Sequence, residues 1–407
     1  MPSSPVQRIT DHANRSDPYP IYEELRRTPV VRDESGIHLV TTYWEIRGLL
    51  RDPRISSEAR NLAPGANSLL ADDEEEVPLP PAFIRRDPPE HDRLRRLAMR
   101  PFGPPHSPRR IHDMHEELAR VVSDLVDGLE GRQEFDVVDD FAYPFPVTVI
   151  CRLLGVPRED EPHFRGLVDA VVAGLGPAED PAEQRRAVQR ARFELGQYLA
   201  GLIEQHRRDP GDDMLSALAT GQGPDGRLSP VELISTAVLL LIAGHETTVN
   251  LITNGMLTLL RNPDACKMLR EAPQTAAGTV EELLRFEPPV QILPQRTPLA
   301  DLEVGDVVIP KGAPVWLLLA SGNRDPKRFA DPDRFDPARR DNQHLGLGFG
   351  VHACFGAPLA RLEAQLALTE LIGRLREPRL VTDPPPYRPS PVLRGPRHLT
   401  VAVDGIG

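Results

Sequence analysis

The residues best suited to chemistry lie in one glycine-rich stretch, Gly346–Gly356, which reads GLGFGVHACFG. Cys354 stands near its end, and Pro358 marks the first turn of a helix expected to begin directly afterwards. A sulfur placed there faces free backbone N–H groups and the positive end of the helix, which both favour a thiolate. The glycines let the backbone approach a flat, bulky group. One thiolate cannot complete a zinc site, but it can be the axial ligand of a haem iron.

Two simpler interpretations of this stretch compete with a haem ligand. A single cysteine is most often a buried packing residue. Gly348–Ala353 also satisfies the dinucleotide fingerprint GxGxxA, but that fingerprint requires a buried strand directly before it. The preceding residues 331–342, DPDRFDPARRDN, are too polar and too proline-rich for such a strand. We therefore discard the dinucleotide site, and the loop alone leaves a haem ligand and a packing cysteine as alternatives.

Composition limits the class of protein. Of 407 residues, 40% are hydrophobic and 27% are charged, as in soluble globular proteins. The formal charge, 48 − 60 = −12, disfavours non-specific nucleic-acid binding. Three cysteines exclude a disulfide scaffold, and we expect Cys151 and Cys266 to be core and surface thiols without a role. Because the first 20 residues contain no apolar stretch and the run Leu233–Gly244 is too short to span a bilayer, we expect a cytoplasmic protein with no membrane contact.

Helical patterns dominate the elements that must position Cys354. Ser229, Pro230 and Glu232 form a capping box that starts a helix, which runs to Arg261 over about 45–50 Å. Its centre is apolar on all sides, so we expect it to be buried. An early hairpin (30–33 and 37–40) and the late strands (302–308, 314–318 and 399–403) are predicted to pair in one sheet. The sequence thus predicts a single domain, 1–407, mainly α with a minor β region. Further helices are predicted over 20–27, 42–51, 112–130, 147–154, 161–175, 181–208, 276–286 and from Cys354 to about 375, and loops over 61–81, with the acidic run Asp72–Glu76, and 209–226.

The stretch around Cys354 resembles the cysteine-ligand loop of cytochromes P-450, FGxGxHxCxG, with Leu347 in place of the usual Phe. Three further motifs of that family follow its order along the chain. They are the HxxxR of His91–Arg95, the oxygen-activation motif AGHETT of Ala243–Thr248, and the ExxR of Glu282–Arg285 with Arg339 as third partner. The resemblance covers essentially the whole chain and is closest to soluble bacterial members.

The resemblance implies the cytochrome P-450 fold, a triangular prism with a long central helix over the haem. It implies haem b as cofactor, with Cys354 as the axial thiolate ligand of the iron. His91, Arg95, Arg296 and His352 are then expected to bind the haem propionates through charge-assisted hydrogen bonds. His91 and Arg95, four residues apart, project from one helix face. Taken alone, each of these four residues is more simply a surface cation.

Glu246 and Thr247 are expected to be the catalytic pair, because oxygen activation requires two protons, which an acid and an alcohol can deliver. The family has a local distortion of the helix here, which the threonine hydroxyl favours by bonding a backbone carbonyl. His245 is expected to point away from Thr247. Glu282, Arg285 and Arg339 are interpreted as a structural cluster that fixes the loop leading to Cys354.

The predicted activity is that of a haem-thiolate monooxygenase that hydroxylates or epoxidises a lipophilic small molecule, such as a macrolide, polyketide, steroid, terpenoid or fatty acid. Two alternatives remain: a haem-thiolate peroxygenase or oxidative-coupling enzyme, and a non-enzymatic haem-binding protein. By analogy with the family, the substrate is enclosed by mostly aliphatic walls, namely 62–84, the helices around 164–193, 239–247, 290–293 and 391–393.

Electrons are expected from a ferredoxin and a ferredoxin reductase, because no flavin or nucleotide domain is fused to the chain. Arg93, Arg96 and Arg100 follow helical spacing on the face opposite His91 and Arg95. On an acidic protein, this basic stripe is a candidate docking site for an acidic ferredoxin. The alternative is an ordinary solvated helix face. We expect a monomer.

Overall fold

The structure, a computed structural model, describes residues 3–66, 80–103, 106–107, 109–176, 180–221 and 226–407. The acidic run Asp72–Glu76, predicted to be a surface loop, lies outside the described residues.

Helices make up most of the described chain. Their bounds are α1 Pro5–Thr10, α2 Tyr19–Leu25, α3 Tyr43–Leu49, α4 Glu90–Met99, α5 Arg110–Asp113, α6 His115–Asp127, α7 Pro144–Leu154, α8 Glu161–Ala173, α9 Pro181–Arg208, α10 Met214–Thr220, α11 Pro230–Arg261, α12 Pro263–Glu271, α13 Ala276–Phe286, α14 Leu319–Gly322 and α15 Ala357–Arg374. A π-helical turn, Val138–Ala142, precedes α7.

The long helix α11 begins as its sequence predicts. The Ser229 hydroxyl accepts from the Glu232 backbone N–H at 3.4 Å, and the Glu232 carboxylate accepts from the Ser229 N–H at 2.7 Å. Among the described helices, α11 is long and apolar enough to cross a membrane, but 72% of its most apolar window is buried inside the protein. This burial is that of a core helix.

Short strands form a minor part of the fold. Their bounds are β1 Val30–Arg32, β2 His38–Val40, β3 Ile55–Ser56, β4 Glu134–Asp136, β5 Leu293–Pro298, β6 Leu302–Val304, β7 Val307–Ile309, β8 Val315–Leu317, β9 Leu375–Arg376, β10 Arg379–Leu380, β11 Thr400–Ala402 and β12 Gly405–Ile406. The largest sheet has the order β1-β2-β8-β5-β3.

The prediction of one common sheet is right only for β8, which pairs parallel to β2 of the early hairpin. Residues 302–308 instead fold into their own hairpin, β6–β7, because a turn at Gly305, with φ 59°, reverses the chain. The strand near 400 pairs with β4 and β10 in a separate sheet. Strand length and pattern identify these segments, but partner choice depends on contacts far apart in sequence.

Two helical predictions also change. The segment predicted as one helix over 112–130 divides into α5 and α6. The polar stretch 209–226 contains α10, whose first turn is capped by the Asp213 carboxylate, which accepts from the Ser216 N–H at 2.8 Å. Asp213 therefore starts a helix in a stretch that we read as a loop.

The main core surrounds α11 and joins α6, α7, α9, α13 and α15. Gly244 permits the contact between α11 and α7, since a Cβ there would lie 2.7 Å from the Cδ1 of Ile150. Cys151 is buried in this core as expected. Cys266 is also buried, which corrects the expected surface thiol: it lies on the inner face of α12 beside Leu269.

Candidate active site

The Cys354 loop is held by close backbone contacts that only glycine permits. Gly348 and Gly350 have φ angles of 69° and 71°, in the left-handed region. A Cβ on Gly346 would lie 2.2 Å from the carbonyl oxygen of Leu284 in α13, and one on Gly350 would lie 2.1 Å from that of Leu50. The glycines therefore serve first to seat the loop against neighbouring backbone.

Cys354 itself differs from the other two cysteines. Its backbone N–H donates to the Leu347 carbonyl at 2.8 Å, and its side chain is accessible although it lies deep in the protein. Burial raises the pKa of the Cys354 thiol, against the opposing effects of the Gly356 N–H, Arg95 and Arg361. The Gly356 N–H favours a thiolate, as expected of this loop, while burial of the sulfur opposes it. A coordinated metal would have to supply the remaining stabilisation.

The predicted cluster around Glu282 is confirmed. The buried Glu282 carboxylate accepts from Arg285 at 2.7 and 2.8 Å and from Arg339 at 3.2 and 3.3 Å. It also accepts from the Asp336 backbone N–H at 2.9 Å and from Asn342 Nδ2 at 3.1 Å. The cluster thus ties α13 to residues 336–342, directly ahead of the Cys354 loop.

Two histidines meet beside that loop. The rings of His91 and His352 lie 4.3 Å apart between centroids. His91 Nδ1 is 2.8 Å from Asp92, and His352 Nε2 is 3.0 Å from the Ser57 hydroxyl. Their other nitrogens, His91 Nε2 and His352 Nδ1, are buried and have no partner among the described residues. A buried polar atom without a partner is costly, so these two nitrogens point to a polar group that binds there.

Arg95 and Arg296 complete this set of four, which the sequence named and the structure brings together. Arg95 donates to the Ala353 carbonyl at 2.7 Å, and Arg296 is half-buried on β5. Burial lowers the pKa of His352 to about 3, with further lowering by Arg296, His91 and Arg95. Burial also lowers the pKa of Arg296 to about 10. Cations crowded in this way favour an anionic ligand.

The acid and the alcohol lie in the middle of α11. Glu246 is buried, with its carboxylate 3.3 Å from both Arg388 Nη1 and Asn250 Nδ2. Burial raises the pKa of Glu246. The Thr247 hydroxyl donates to the Ala243 carbonyl at 2.9 Å, while α11 continues unbroken, so the expected distortion is confined to this side-chain bond. His245 packs on Tyr143, away from Thr247, and burial lowers its pKa to about 4.

A cavity of about 370 Å³ opens in front of Glu246 and Thr247. All five predicted walls contribute to it, and most of the lining side chains are apolar. They are Pro80, Pro81, Ala82 and Ile84 from the first wall, Val171, Val172 and Leu175 from α8, Leu239, Ile242 and Ala243 from α11, and Val290, Leu293 and Leu393. Phe164 and Phe193, which bounded one predicted wall, do not line it: Phe164 is buried in the core and Phe193 is exposed.

A sequence model described as Cytochrome P450 matches residues 72–402 of this chain. The chain belongs to the cytochrome P450 family. It is 40% identical over 403 residues to the cytochrome P450 monooxygenase PikC of Streptomyces venezuelae, covering 95% of this chain and 91% of that protein. It is 38% identical over 396 residues to the vitamin D(3) 25-hydroxylase of Pseudonocardia autotrophica, covering 95% and 94%. The ligand-free structure of Mycobacterium smegmatis CYP164A2 superposes with a TM-score of 0.88 at 39% identity, covering 98% and 99%.

This P450 is therefore an oxidoreductase of the monooxygenase type, and its cofactor is haem b with a cysteine thiolate ligand. It requires an electron donor, as bacterial P450s do. The residues present fit the cofactor, because the cationic set beside the Cys354 loop offers two unpartnered imidazole nitrogens and two guanidiniums to acidic groups. Haem b carries two propionates of that kind.

The P450 site contains partners that no local pattern predicted. Ser57 contacts His352, and Arg388 pairs with Glu246. Gln295 and Ser235 line the cavity. These residues come from segments remote from the motifs, so only the fold places them. The one available signal was the proximity in sequence of Gln295 to Arg296.

The predicted basic stripe on α4 is altered by the structure. Arg93 forms ion pairs with Glu90 at 2.7 Å and with Glu232 of the α11 capping box. Arg100 lines a second, smaller cavity beside α10. Arg96 remains exposed. The stripe is therefore not a set of three equivalent surface cations, because Arg93 connects α4 to α11.

Proposed function

We propose that this P450 inserts one atom of dioxygen into a lipophilic small molecule, with electrons from a ferredoxin and its reductase. The observation that carries the proposal is the cavity, in which Glu246 and Thr247 stand on an otherwise mostly apolar wall. An apolar enclosure with few polar groups suits a lipophilic ligand. The acid and the alcohol suit proton delivery at the same place.

Cys354 is proposed as the axial ligand. Of the three cysteines, it is the accessible one, while Cys151 and Cys266 are buried. His91, Arg95, Arg296 and His352 are proposed to bind the two propionates, which would satisfy His91 Nε2 and His352 Nδ1. Haem b held by a thiolate supplies reductive activation of dioxygen.

Glu246 and Thr247 are proposed to deliver the protons. Because burial raises the pKa of Glu246, its carboxyl group takes up a proton more readily than an exposed glutamate and can release it inward. The ion pair with Arg388, whose side chain is 14% exposed, places a partly accessible polar group beside Glu246. The Thr247 hydroxyl already donates to the Ala243 carbonyl, so its oxygen can accept a hydrogen bond from a donor in the cavity.

The substrate is proposed to be a secondary metabolite such as a macrolide or polyketide, or a steroid, terpenoid or fatty acid. The apolar lining supports a molecule of this class. A relative at 38% identity is named for the hydroxylation of vitamin D(3), which supports a bulky lipophilic substrate. We further propose that the P450 is a monomer in the cytoplasm, as one domain over residues 1–407.

The test uses purified, haem-loaded protein. We expect one or more lipophilic compounds from a panel of macrolactones, steroids, terpenoids and fatty acids to shift the ferric Soret band. Turnover of that compound with a ferredoxin, its reductase and ¹⁸O₂ should give a product with one labelled oxygen. A product whose added oxygen comes from water, or turnover supported only by peroxide, would contradict the proposal. Omission of the ferredoxin is the control.

A further inference from the structure

The polar side chains that line the cavity are mainly hydrogen-bond donors. Two are arginines, Arg85 and Arg192, besides Arg296 of the set proposed to bind the propionates, although the protein as a whole carries a charge of −12. Among the described lining residues, the one carboxylate is Glu246, which already lies 3.3 Å from Arg388. A lining of this kind favours a ligand that presents acceptor oxygens and disfavours a cationic one.

Gln295 is the most unusual of these residues. It is 6% exposed and has a φ of 64°, at the point where the pairing of β5 with β8 shifts between Leu293 and Arg296. Its Nε2 is buried and has no partner in the described chain. A left-handed backbone at a non-glycine residue costs free energy, and an unpaired buried donor adds a further cost. The bulge aims this side chain at the cavity instead of along the strand.

Ser235, on α11, presents a second unpaired group at the same cavity. It is 6% exposed, and its Oγ has no partner among the residues that the structure describes. It lies 12 residues before Thr247 on α11, which places it about 18 Å away along the helix axis. At that distance it cannot take part in proton delivery, so another group must explain its position on the cavity.

We propose that Gln295 and Ser235 determine specificity by hydrogen-bonding oxygens of the substrate. Gln295 Nε2 donates to one acceptor oxygen of the substrate, and Ser235 Oγ bonds another. The substrate class is then a lipophilic molecule that carries carbonyl, lactone or carboxylate oxygens, as opposed to a hydrocarbon. This inference rests on the proposed function, because it concerns the same cavity. It narrows that function to oxygenated lipophiles.

The test compares matched ligands on haem-loaded protein. Androst-4-ene-3,17-dione is paired with 5α-androstane, and cyclododecanone with cyclododecane, and dissociation constants are measured from the Soret shift and by calorimetry. We expect Gln295→Met and Ser235→Ala each to weaken binding of the oxygenated member about fivefold to tenfold, while binding of the hydrocarbon stays within about twofold. Each ligand is compared between wild type and variant, so the difference in lipophilicity between the two ligands does not affect the result.

Gln291→Met is the matched control. Gln291 is fully buried four residues before Gln295, but its Nε2 donates to the Pro288 carbonyl and it does not line the cavity. This variant should keep the wild-type preference. Unchanged preference in both Gln295→Met and Ser235→Ala would overturn the inference, as would equal losses for the hydrocarbons. Failure of the proposed function is seen separately, as the absence of the ferrous–carbon monoxide spectrum typical of a thiolate-ligated haem.

Discussion

The two sides of the active site differ in whether their polar groups are hydrogen-bonded within the protein. On the side of the Cys354 loop, the Glu282 carboxylate accepts from two arginines, one amide side chain and one backbone N–H. On the side of the cavity, Ser235 on α11 and Gln295 on β5 have polar atoms without a partner in the part of the chain that the structure describes. The first region is closed by contacts within the chain, and the second is completed only by what binds to it.

This difference separates structural residues from those available to ligands. A carboxylate with every lone pair occupied can hold backbone segments in place, but it has nothing left for chemistry. The propionate-binding set is intermediate, because His91 and His352 each use one nitrogen within the protein and leave the other unpaired. We therefore expect substitutions on the loop side to reduce haem retention and stability, and substitutions on the cavity side to leave both unchanged.

The largest effect should follow Glu282→Ala. Removing this carboxylate leaves the charges of the buried Arg285 and the half-buried Arg339 without a counter-charge, which costs about 3–5 kcal/mol. We expect soluble protein, where it is obtained, to contain no bound haem, as measured by absorbance and by the pyridine haemochrome. Glu271→Ala is the control, because Glu271 is exposed at the end of α12 and lies 3.8 Å from Lys267. Normal haem incorporation in Glu282→Ala would contradict the structural role.

Gly350→Ala should be the next most harmful change. The new Cβ would meet the Leu50 carbonyl oxygen at 2.1 Å, at a residue whose φ of 71° already disfavours alanine. The loop must then move, and Cys354 with it, so we expect a large loss of haem content and of thermal stability. Gly356→Ala is the matched control in the same loop, since a Cβ there meets nothing within 4 Å. Equal behaviour of the two variants would show that the close contact does not position the loop.

Glu363→Gln should have a smaller effect that depends on pH. Glu363 is buried on α15, its Oε2 has no partner in the described chain, and burial raises its pKa well above the ordinary value. Above about pH 4.5 the unfolded chain releases this proton while the folded protein retains it, so the unfolding free energy falls by about 1.4 kcal/mol per pH unit.

The glutamine variant lacks this dependence. We expect it to match the wild type near pH 4.5 and to become increasingly more stable than the wild type as the pH rises, as measured by denaturant unfolding of the haem-loaded protein at several pH values. Glu370→Gln, on the exposed side of the same helix beside Arg374, is the control. Parallel curves for wild type and Glu363→Gln would show that the carboxyl group finds a partner.

Much of the loop side could be predicted from the sequence, because its residues lie in short motifs. Glu282 and Arg285 share one helix, and the glycines and Cys354 share one loop, so the resemblance to cytochromes P-450 can be recognised in each short segment by itself. The pairing of β6 with β7 and of β11 with β4 could not be predicted, since a short strand carries no mark of its partner.

Of the polar residues on the cavity side, only those of the α11 motif were predicted. Glu246 and Thr247 were identified by their motif, whereas Arg388 reaches Glu246 from 142 positions further along the chain. Gln295 gave no sign of its left-handed backbone, which results from the register shift between β5 and β8. Positions set by tertiary contacts of this kind need the fold before they can be interpreted.

The smallest effect on haem retention and stability should follow Thr247→Ala, on the cavity side. The change removes one hydroxyl that donates to the Ala243 carbonyl of its own helix, and alanine is a better helix former, so unfolding should be nearly unchanged. Product formed per electron consumed should nevertheless fall about tenfold or more, because proton delivery loses its alcohol. Thr247→Ser should restore most of the product formed per electron.

Thr248→Ala is the control, since Thr248 is buried and does not line the cavity. Loss of haem in Thr247→Ala comparable to that in Gly350→Ala would remove the distinction between the two sides, and unchanged coupling would remove Thr247 from proton delivery.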